Sequence, residues 1–398
     1  MNRKPKNLGG MHPSVLRRIN SIAVFHTLRK TPHISQRDIG LATGIDRSTV
    51  SAITGYFDSL GLLERHQPEE QPVRRGRPME ALTLRAEAGL LIGVHILPEK
   101  VRFVASGLDG VPKSTRNVLP LREAADFGES VEAGLETFLQ TIGRKRDEVS
   151  AIGVTVPGLV ANDGRLAESS NMRWRDLDLQ GALVEQFGPN VWLNNDSRAA
   201  GIAEKMFGRC AEANDFVFVD SASGVGGSLF LDGAPYAGAG GFAGELGHIK
   251  VVPNGRLCTC GCSGCLSAYL SEPALVRRFA QLELNVEDFS QMRALAENGV
   301  AAALSALDEA GEMLGLALAN YINLFNPEMI ALGGGIASLM PFLEAGMERT
   351  VSRHALASAR ALCTIVVSDL AREETPRGGL ALALGGLTDT NSGQPFPW

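Results

Sequence analysis

Four cysteines within eight residues constrain this chain more than any other feature of its sequence. They are Cys258, Cys260, Cys262 and Cys265, and His248 lies ten residues before the first of them. Thiolate sulfur and imidazole nitrogen are the ligands that zinc prefers, so the spacing predicts a structural, tetrahedral zinc site. Two disulfides are the alternative. Cysteines so close in sequence form bridges only under strain, and the chain shows no secretory segment, so we favour zinc.

Length and charge divide the chain into a basic head and an acidic body. At 398 residues it exceeds what one hydrophobic core normally supports, so we expect two or three domains. No apolar run reaches the ~18 residues of a membrane helix, and we expect a soluble, cytoplasmic protein. Residues 1–85 contain 14 Lys and Arg against 7 Asp and Glu, whereas the remainder contains 24 against 37. This asymmetry indicates that only the head binds a polyanion.

The basic head has the residue pattern of a helix-turn-helix. Apolar residues recur about every 3.6 positions from Ser14 to Lys30, which predicts a first helix. Ser35 is placed to cap a second helix, and Asp46 to cap a third that reads RSTVSAITGYFDSLGLL. Helix pairs of this kind also occur as plain packing units. We expect DNA contacts from the polar residues that open the third helix, which are Arg47, Ser48, Thr49 and Ser51.

The segment after the helix-turn-helix reads as two short strands around a loop, the wing of a winged helix. Three arginines lie at the expected tip of this wing, Arg74, Arg75 and Arg77. Arginines on a rigid projection can neutralise phosphates or enter the minor groove, although many basic loops are merely solvated. We therefore expect a flexible basic arm at 1–13, followed by a winged helix-turn-helix domain at 14–85 that binds duplex DNA.

Beyond this head, strands alternate with helices, which is typical of α/β folds. One strand ends in Asn194-Asn195-Asp196 before a helix, and two others end in glycine-rich turns at 223–227 and 333–335. Ligands collect at the carboxyl ends of such strands, so Asp196 is a candidate binding residue in a cleft between two lobes. A helix N-cap is the structural alternative for Asp196, and a solvated loop carboxylate is the alternative for Glu245.

Six segments of the body resemble, in order, the hallmark segments of the ROK family of repressors, open reading frames and sugar kinases. They are VPGLV, NNDSRAAGIAE, SGVGGSLFLDG, GGFAGELGH, CTCGCSGCL and ALGGGI. With the helix-turn-helix in front, the chain resembles the transcriptional repressor branch, similar to the N-acetylglucosamine and xylose repressors. The resemblance implies an α/β, two-lobed actin/hexokinase-like ROK domain at 86–390, with lobe 1 at about 86–200 plus 377–390, lobe 2 at about 201–376, and a loose tail at 391–398.

The resemblance also implies roles for individual residues. By position, the zinc ligands would be His248, Cys258, Cys260 and Cys265. Cys262 is an additional cysteine that we expect to be free, although it could compete with His248 for the metal. The residues expected to hold sugar hydroxyls are Asn195, Asp196, Glu245 and His248. In the family's kinases, Asp196 would be the general base that takes a proton from the attacking hydroxyl.

Two departures from the family pattern argue against phosphoryl transfer. The kinases have an Asp-x-Gly-Gly-Thr-type phosphate turn where this chain reads GVHILPEK, with Glu99 in the turn. The second phosphate turn, at 223–227, is retained only in part. The family's Cys-Leu-Glu motif also reads Cys265-Leu266-Ser267, so a hydroxyl stands where a carboxylate would contact the sugar. We therefore expect that kinase activity is lost and that the sugar specificity is unusual.

These features predict a non-enzymatic, DNA-binding transcriptional regulator, most simply a repressor of carbohydrate uptake or catabolism genes. A sugar or sugar phosphate bound in the ROK cleft would control it. The expected partners are an operator in duplex DNA, the effector and further copies of the chain in a homodimer or homotetramer. An ATP-dependent sugar kinase with Asp196 as base is one alternative. Control by a protein, such as a sugar transporter component, is another.

Overall fold

The computed structural model describes residues 12–66, 80–98, 100–118, 127–370 and 377–389. Most of the predicted arm, the three wing arginines Arg74, Arg75 and Arg77, Glu99 and the predicted tail lie outside these ranges. Within them, no helix combines the length and the apolar character that crossing a membrane requires.

The N-terminal head contains three helices and a small antiparallel sheet. Its elements are α1 (Pro13–Lys30), β1 (Ile34–Ser35), α2 (Gln36–Thr43), α3 (Arg47–Ser59), β2 (Leu63–His66) and β3 (Ala81–Leu84). The strands pair in the order β1-β3-β2. The two strands predicted around a loop are thus present as the antiparallel pair β2 and β3, and the loop itself lies outside the described residues.

Side-chain caps determine where α2 and α3 begin. Ser35 Oγ accepts the backbone N–H of Asp38 at 3.1 Å and donates to the carboxylate of Asp38 at 2.7 Å. Asp46 accepts the backbone N–H of Thr49 at 3.0 Å. Gly44 ends α2 with a φ of 70°, a left-handed conformation that glycine adopts without strain, so the chain can turn directly into α3. Both predicted caps are confirmed.

The body contains two five-stranded sheets of the same design. We call the part built on the first sheet lobe 1. Its elements before the second sheet are β4 (Leu90–Ile96), β5 (Val101–Ser106), β6 (Pro112–Val118), α4 (Phe127–Thr141), β7 (Val149–Val156), β8 (Leu159–Val160), β9 (Leu166–Ser169), β10 (Trp174–Leu177), α5 (Leu179–Phe187), β11 (Val191–Asn195) and α6 (Asp196–Phe207). The strand order is β11-β7-β4-β5-β6, and β8, β9 and β10 form a separate small sheet.

Lobe 2 is built on the second sheet, in the order β14-β13-β12-β15-β16. The remaining elements are β12 (Phe216–Ser221), β13 (Val225–Leu231), β14 (Ala234–Pro235), α7 (Ser267–Leu270), α8 (Glu272–Ala280), α9 (Phe289–Glu297), α10 (Ala301–Phe325), β15 (Met329–Leu332), α11 (Ile336–His354), α12 (Ala357–Arg360), β16 (Thr364–Val367) and α13 (Arg377–Leu387). In both sheets, an antiparallel three-stranded meander is extended by two parallel strands.

Helix α13 follows lobe 2 in the chain and packs on the sheet of lobe 1. The approach is so close that a Cβ added to Gly153 in β7 would collide with the carbonyl oxygen of Gly379. Small residues are required here because only they let the helix backbone lie on the strands. On its other side α13 packs against α6, which also contacts β12 and β13 of lobe 2. The lobe division expected at about residue 200 therefore falls inside a helix that touches both sheets.

Helix α10 is long and rich in Ala and Leu. Apolar residues along its whole length are buried, among them Leu314, Leu318 and Ile322. The helix is therefore part of the core of lobe 2. Its Tyr321 hydroxyl donates to the carbonyl oxygen of Leu246 at 2.6 Å, so α10 also supports the loop that precedes the cysteine cluster.

Candidate functional site

A cavity of about 390 Å³ opens between the lobes. Lobe 1 contributes the carboxyl end of β11, and lobe 2 contributes the end of β12 with the glycine-rich turn that follows it. This is the edge of an α/β sheet where ligands collect, and the volume suits a small molecule. The four predicted sugar-binding residues all line this one cavity, and they are Asn195, Asp196, Glu245 and His248.

Helix α6 positions the two polar residues from lobe 1. Asn195 is its N-cap, with Oδ1 accepting the backbone N–H of Arg198 at 2.9 Å and Nδ2 donating to the carbonyl of Gly158 at 2.9 Å. Asp196 is the first helical residue and not the cap, so the N-cap alternative for it is wrong. Its Oδ1 accepts the backbone N–H of Ser197 at 2.8 Å, and the side chain lies in the cleft.

A third carboxylate, Asp220, lies at the end of β12 and lines the same cavity. Burial, together with the nearby charge of Asp220, raises the pKa of Asp196 to about 7. Burial also raises the pKa of Asp220 to about 6. The two carboxyl groups therefore titrate as an interacting pair near neutral pH. Asp220 was not predicted as a site residue, although a charged residue that closes the apolar run FVFVD was a usable signal.

The loop at 244–248 brings Glu245 and His248 to the cavity. His248 Nε2 lies 3.9 Å from Glu245 Oε2. Burial, with a smaller effect of Lys250, lowers the pKa of His248, so the imidazole is neutral at neutral pH. The Glu245 side chain lines the cavity and is 41% exposed. Burial raises its pKa, and the positive charge of Arg198 opposes this rise, so Glu245 differs from a fully solvated loop carboxylate.

The other ring nitrogen of His248 belongs to a cluster of four potential metal ligands. Nδ1 lies 3.8 Å from Cys258 Sγ, and Cys260 Sγ lies 3.7 Å from Cys265 Sγ. All four ligand atoms lie within 4.8 Å of one another. Ligands bound at about 2.3 Å to a tetrahedral ion are about 3.8 Å apart. The donor set and its spacing could therefore hold one metal ion, with the four residues that the family resemblance assigned.

Cys262 does not belong to this cluster. Its side chain is exposed, while its backbone carbonyl accepts the N–H of Cys258 at 2.8 Å and closes the loop around the ligands. All six cysteines are free thiols, so the disulfide alternative is wrong. Burial raises the pKa of the Cys265 thiol to about 11, and Lys250 Nζ, which donates to Cys265 Sγ at 2.9 Å, acts in the opposite direction by favouring the thiolate.

The family model of the ROK family matches residues 91–385. The chain belongs to the ROK family. The two-lobed α/β fold predicted for it, preceded by a helix-turn-helix, is confirmed.

Similar proteins include both repressors and kinases. The xylose repressor of Bacillus subtilis is 26% identical over 353 residues, covering 85% of this chain and 87% of the repressor. The DNA-binding transcriptional dual regulator NagC of Escherichia coli K12 is 26% identical over 367 residues, covering 89% and 90%. A crystal structure of a ROK family transcriptional regulator, described as a homolog of the E. coli MLC protein, is 25% identical with a TM-score of 0.80, covering 95% and 98%. A ROK glucokinase from Streptomyces griseus, solved with glucose and AMPPNP, is 25% identical with a TM-score of 0.64 and covers only 74% of this chain.

Ser267 lines the same cavity beside the glycine-rich turn. Its hydroxyl accepts the backbone N–H of Val225 at 3.2 Å and is buried against the glycine-rich turn. The hydroxyl therefore stabilises the turn at 223–227. From the sequence we expected only the loss of a sugar contact at this position. Across the cavity, Asn171 Nδ2 of lobe 1 donates to Ser223 Oγ of that same turn at 3.1 Å, so one hydrogen bond spans the cleft.

The first residues of α3, in the N-terminal head, are exposed, as contact with DNA would require. Arg47, Ser48 and Ser51 lie on this exposed face. The hydroxyls of Ser48 and Thr49 donate to the Asp46 carboxylate at 2.5 and 2.6 Å, and these bonds hold the pKa of Asp46 well below its usual range. Ser48 and Thr49 therefore complete the cap as well as forming part of the exposed end.

Sequence reasoning also missed the interface between the head and the ROK lobes. Arg29 of α1 donates to the carbonyl of Met206 at 3.1 Å and stacks on the ring of Phe207. His26 Nε2 lies 3.2 Å from Thr388 Oγ1, just beyond α13. Head and lobe 1 share one hydrophobic core, in which Phe25 and Leu384 are both fully buried. No local pattern in the sequence marks these residues as partners.

Proposed function

We propose that this ROK chain is a transcriptional repressor whose helix-turn-helix binds an operator in duplex DNA and whose cleft binds a carbohydrate that changes this affinity. The observation that carries the proposal is helix α6, which begins in the cleft with Asp196 and ends at Phe207 against helix α1 of the head. The similarity to a xylose repressor and to NagC, along more than four fifths of each chain, supports it.

Operator contacts are assigned to the exposed start of α3 and to the wing. Arg47 and Ser51 are placed to meet base edges or phosphates in the major groove, with Ser48 and Thr49 beside them. Arg74, Arg75 and Arg77, which lie outside the described residues, would neutralise phosphates. A homodimer or homotetramer would present two heads to half-sites about 34 Å apart, or a multiple of that spacing.

The carbohydrate site comprises Asn195, Asp196, Glu245 and His248. Carboxylates and amides form directional hydrogen bonds with vicinal hydroxyls. The metal would be zinc, held by His248, Cys258, Cys260 and Cys265, and its role would be to fix the loop and the orientation of the imidazole. With Nδ1 in the ligand cluster, Nε2 faces Glu245 and the cleft, so the metal cluster and the sugar site share this ring.

The proposed response is a change in the relative position of the lobes. The hydrogen bond between Asn171 and Ser223 joins the two lobes at the glycine-rich turn 223–227. A bound sugar would replace or strengthen this bond. Movement of lobe 1 against lobe 2 would shift α6, and with it the surface on which the head rests. The ligand can act only through a difference in its affinity for the two arrangements.

A second candidate, an ATP-dependent sugar kinase, is favoured by Asp196. A carboxyl group with a pKa near 7 is suited to general base catalysis. Against it, the β4–β5 hairpin is closed by a bond from Leu97 N–H to the Lys100 carbonyl, in a sequence without a Gly-Gly-Thr turn. The proposed regulator is therefore non-enzymatic. ATP-dependent turnover of any hexose that disappears in Asp196→Ala would establish the kinase instead.

The function is tested by gel shift with the purified chain and the DNA upstream of its own gene, at low salt and across a panel of sugars. We expect retention of the DNA and its release by one sugar. Arg47→Ala is expected to weaken retention about tenfold, while Arg353→Ala, an exposed arginine at the end of α11, leaves it unchanged. Absence of retention at low salt would remove the DNA-binding proposal.

A further inference from the structure

Within the described parts of the chain, two carboxylates at the base of the cleft have no cationic partner. No side chain of the described residues forms an ion pair with Asp196 or Asp220, whereas Glu168 on the same cavity wall pairs with Arg175 at 2.8 Å. An acid left unpaired in a cleft is satisfied by a ligand that donates hydrogen bonds. The cleft therefore presents acceptors to its ligand at this end.

Three of the backbone amides in the glycine-rich turns around Asp220 are not available to an anion. Such turns bind phosphate when several backbone N–H groups point into the cavity. Here the N–H groups of Gly333 and Gly335 donate to the carbonyls of Val219 and Ser221, at 2.8 and 2.6 Å. The N–H of Val225 in the other turn donates to Ser267 Oγ. These donors are already used within the protein.

The carboxylate of Asp220 lies against both turns. A Cβ added to Gly334 would collide with Asp220 Oδ1, and Asp220 pairs in register with Gly226 of the other turn. An anionic group that entered between the turns would meet this carboxylate first. The one arginine that lines the cavity among the described residues, Arg277, is exposed on α8, where solvent and salt weaken its attraction for an anion.

We propose that the cleft accepts a carbohydrate without an anionic group, either neutral or bearing an ammonium, and that Asp220 is the residue that discriminates against sugar phosphates and nucleotides. Hydroxyl or ammonium donors of the ligand bond to Asp196 and Asp220, and a phosphate is repelled by both. The inference rests on the proposed function and narrows its effector class.

The test is isothermal titration of the full-length chain with paired ligands. The pairs are glucose, N-acetylglucosamine and glucosamine with their 6-phosphates, and xylose is added as a neutral pentose. We expect at least one uncharged or amino sugar to bind, and its phosphate, where one is in the panel, to bind at least about 100-fold more weakly. Asp220→Asn, shown to be folded by circular dichroism, should narrow this ratio about tenfold or more, because the amide no longer repels the phosphate.

The control is Glu136→Gln, which removes one negative charge from an exposed position on α4 outside the cavity and should leave the ratio unchanged. A sugar phosphate that binds as tightly as its parent sugar, with or without Mg²⁺, overturns the inference while the proposed function stands. A ratio unaffected by Asp220→Asn overturns the role of Asp220. Binding of no ligand from either series contradicts both the inference and the sugar-responsive part of the proposed function.

Discussion

The guanidinium of Arg29 lies 4.9 Å from the ring centroid of Phe207, the last residue of α6. Arg29 Nη2 also donates to the neighbouring carbonyl of Met206, and burial lowers the pKa of Arg29 to about 10, still well above neutrality. Because α6 begins at Asp196, one helix about 18 Å long joins the cleft to the DNA-binding head. A cation–π contact of this kind contributes about 0.5–2 kcal/mol.

Replacement of Arg29 by Ala is therefore expected to uncouple the two sites. Sugar affinity and sugar-free operator affinity should each change by less than about threefold, whereas the sugar-induced loss of operator affinity should shrink about tenfold. Titration calorimetry and gel shift with and without the sugar measure the three quantities separately.

Arg146→Ala is the matched control, since Arg146 stacks on Phe187 at 4.8 Å in lobe 1, away from the head. It should leave the response intact. If Arg29→Ala responds to sugar like the unaltered chain, the route through α6 is wrong.

Acidification is expected to weaken docking of the head. Burial lowers the pKa of His26 to about 3, with Arg29 and Lys30 adding to the effect, whereas an exposed histidine titrates near 6.5. The undocked head therefore binds more protons below pH 6.5. Docking should be strongest above that pH and should weaken as the pH falls towards 3, by at most about 1.4 kcal/mol per pH unit.

Hydrogen exchange of α1 at about pH 7.5 and 5.5, corrected for intrinsic rates, measures this effect. His26→Asn should reduce the pH dependence, and His354→Asn, an exposed histidine at the end of α11, should not. Equal protection of α1 at the two pH values in the unaltered chain would contradict the prediction.

Local determinants made much of the fold predictable. Ser35 and Asp46 cap their helices because a cap needs only its own short segment, and the metal-ligand candidates could be assigned because Cys258, Cys260 and Cys265 are close in sequence. The head interface was not predictable in this way. His26 and Thr388 are 362 residues apart, and nothing in the local sequence of either one marks it as an interface residue.

The candidate site was predictable only where a residue's place depends on its own short segment. Asp196 follows a recognisable strand, so its place in the cleft could be expected. The function of the Ser267 hydroxyl depends on Val225, which lies 42 residues away and becomes its partner only when the second sheet forms. The electrostatic interaction of Asp220 with Asp196 likewise depends on how the two lobes face each other.

The cluster of four potential metal ligands predicts how the zinc content of the protein changes when one ligand is replaced. Cys260→Ser should lower the zinc content from about one ion per chain to a small fraction, because a closed tetrahedral site loses one of its four donors. The same variant should lose its sugar response, since His248 is no longer held, while it retains sugar-free operator binding. Mass spectrometry of the metal content and gel shift report these outcomes.

Cys262→Ser is the matched control, because it removes a thiol two residues away that lies outside the cluster. It should keep both zinc and the response. Zinc loss in Cys262→Ser together with full zinc content in Cys260→Ser would show that the ligand was assigned to the wrong cysteine.

Sugar binding is expected to depend on pH through Asp196. Burial and Asp220 raise the pKa of Asp196 to about 7, so its acceptor is mostly protonated at pH 6 and mostly ionised at pH 8. Hydrogen bonds to a charged acceptor are stronger than those to a neutral one, so sugar affinity should rise over this interval, by about tenfold at most. Calorimetry at several pH values with an uncharged sugar measures the slope.

Asp196→Asn should flatten that slope, because the amide does not titrate. Asp288→Asn is the matched control, since Asp288 also stands at the start of a helix, α9, where asparagine caps equally well, and it lies outside the cavity. An affinity that falls as the pH rises would mean that the protonated carboxyl group donates to the sugar. The acceptor role assigned to Asp196 would then be reversed, and the general-base chemistry of a kinase would be disfavoured along with it.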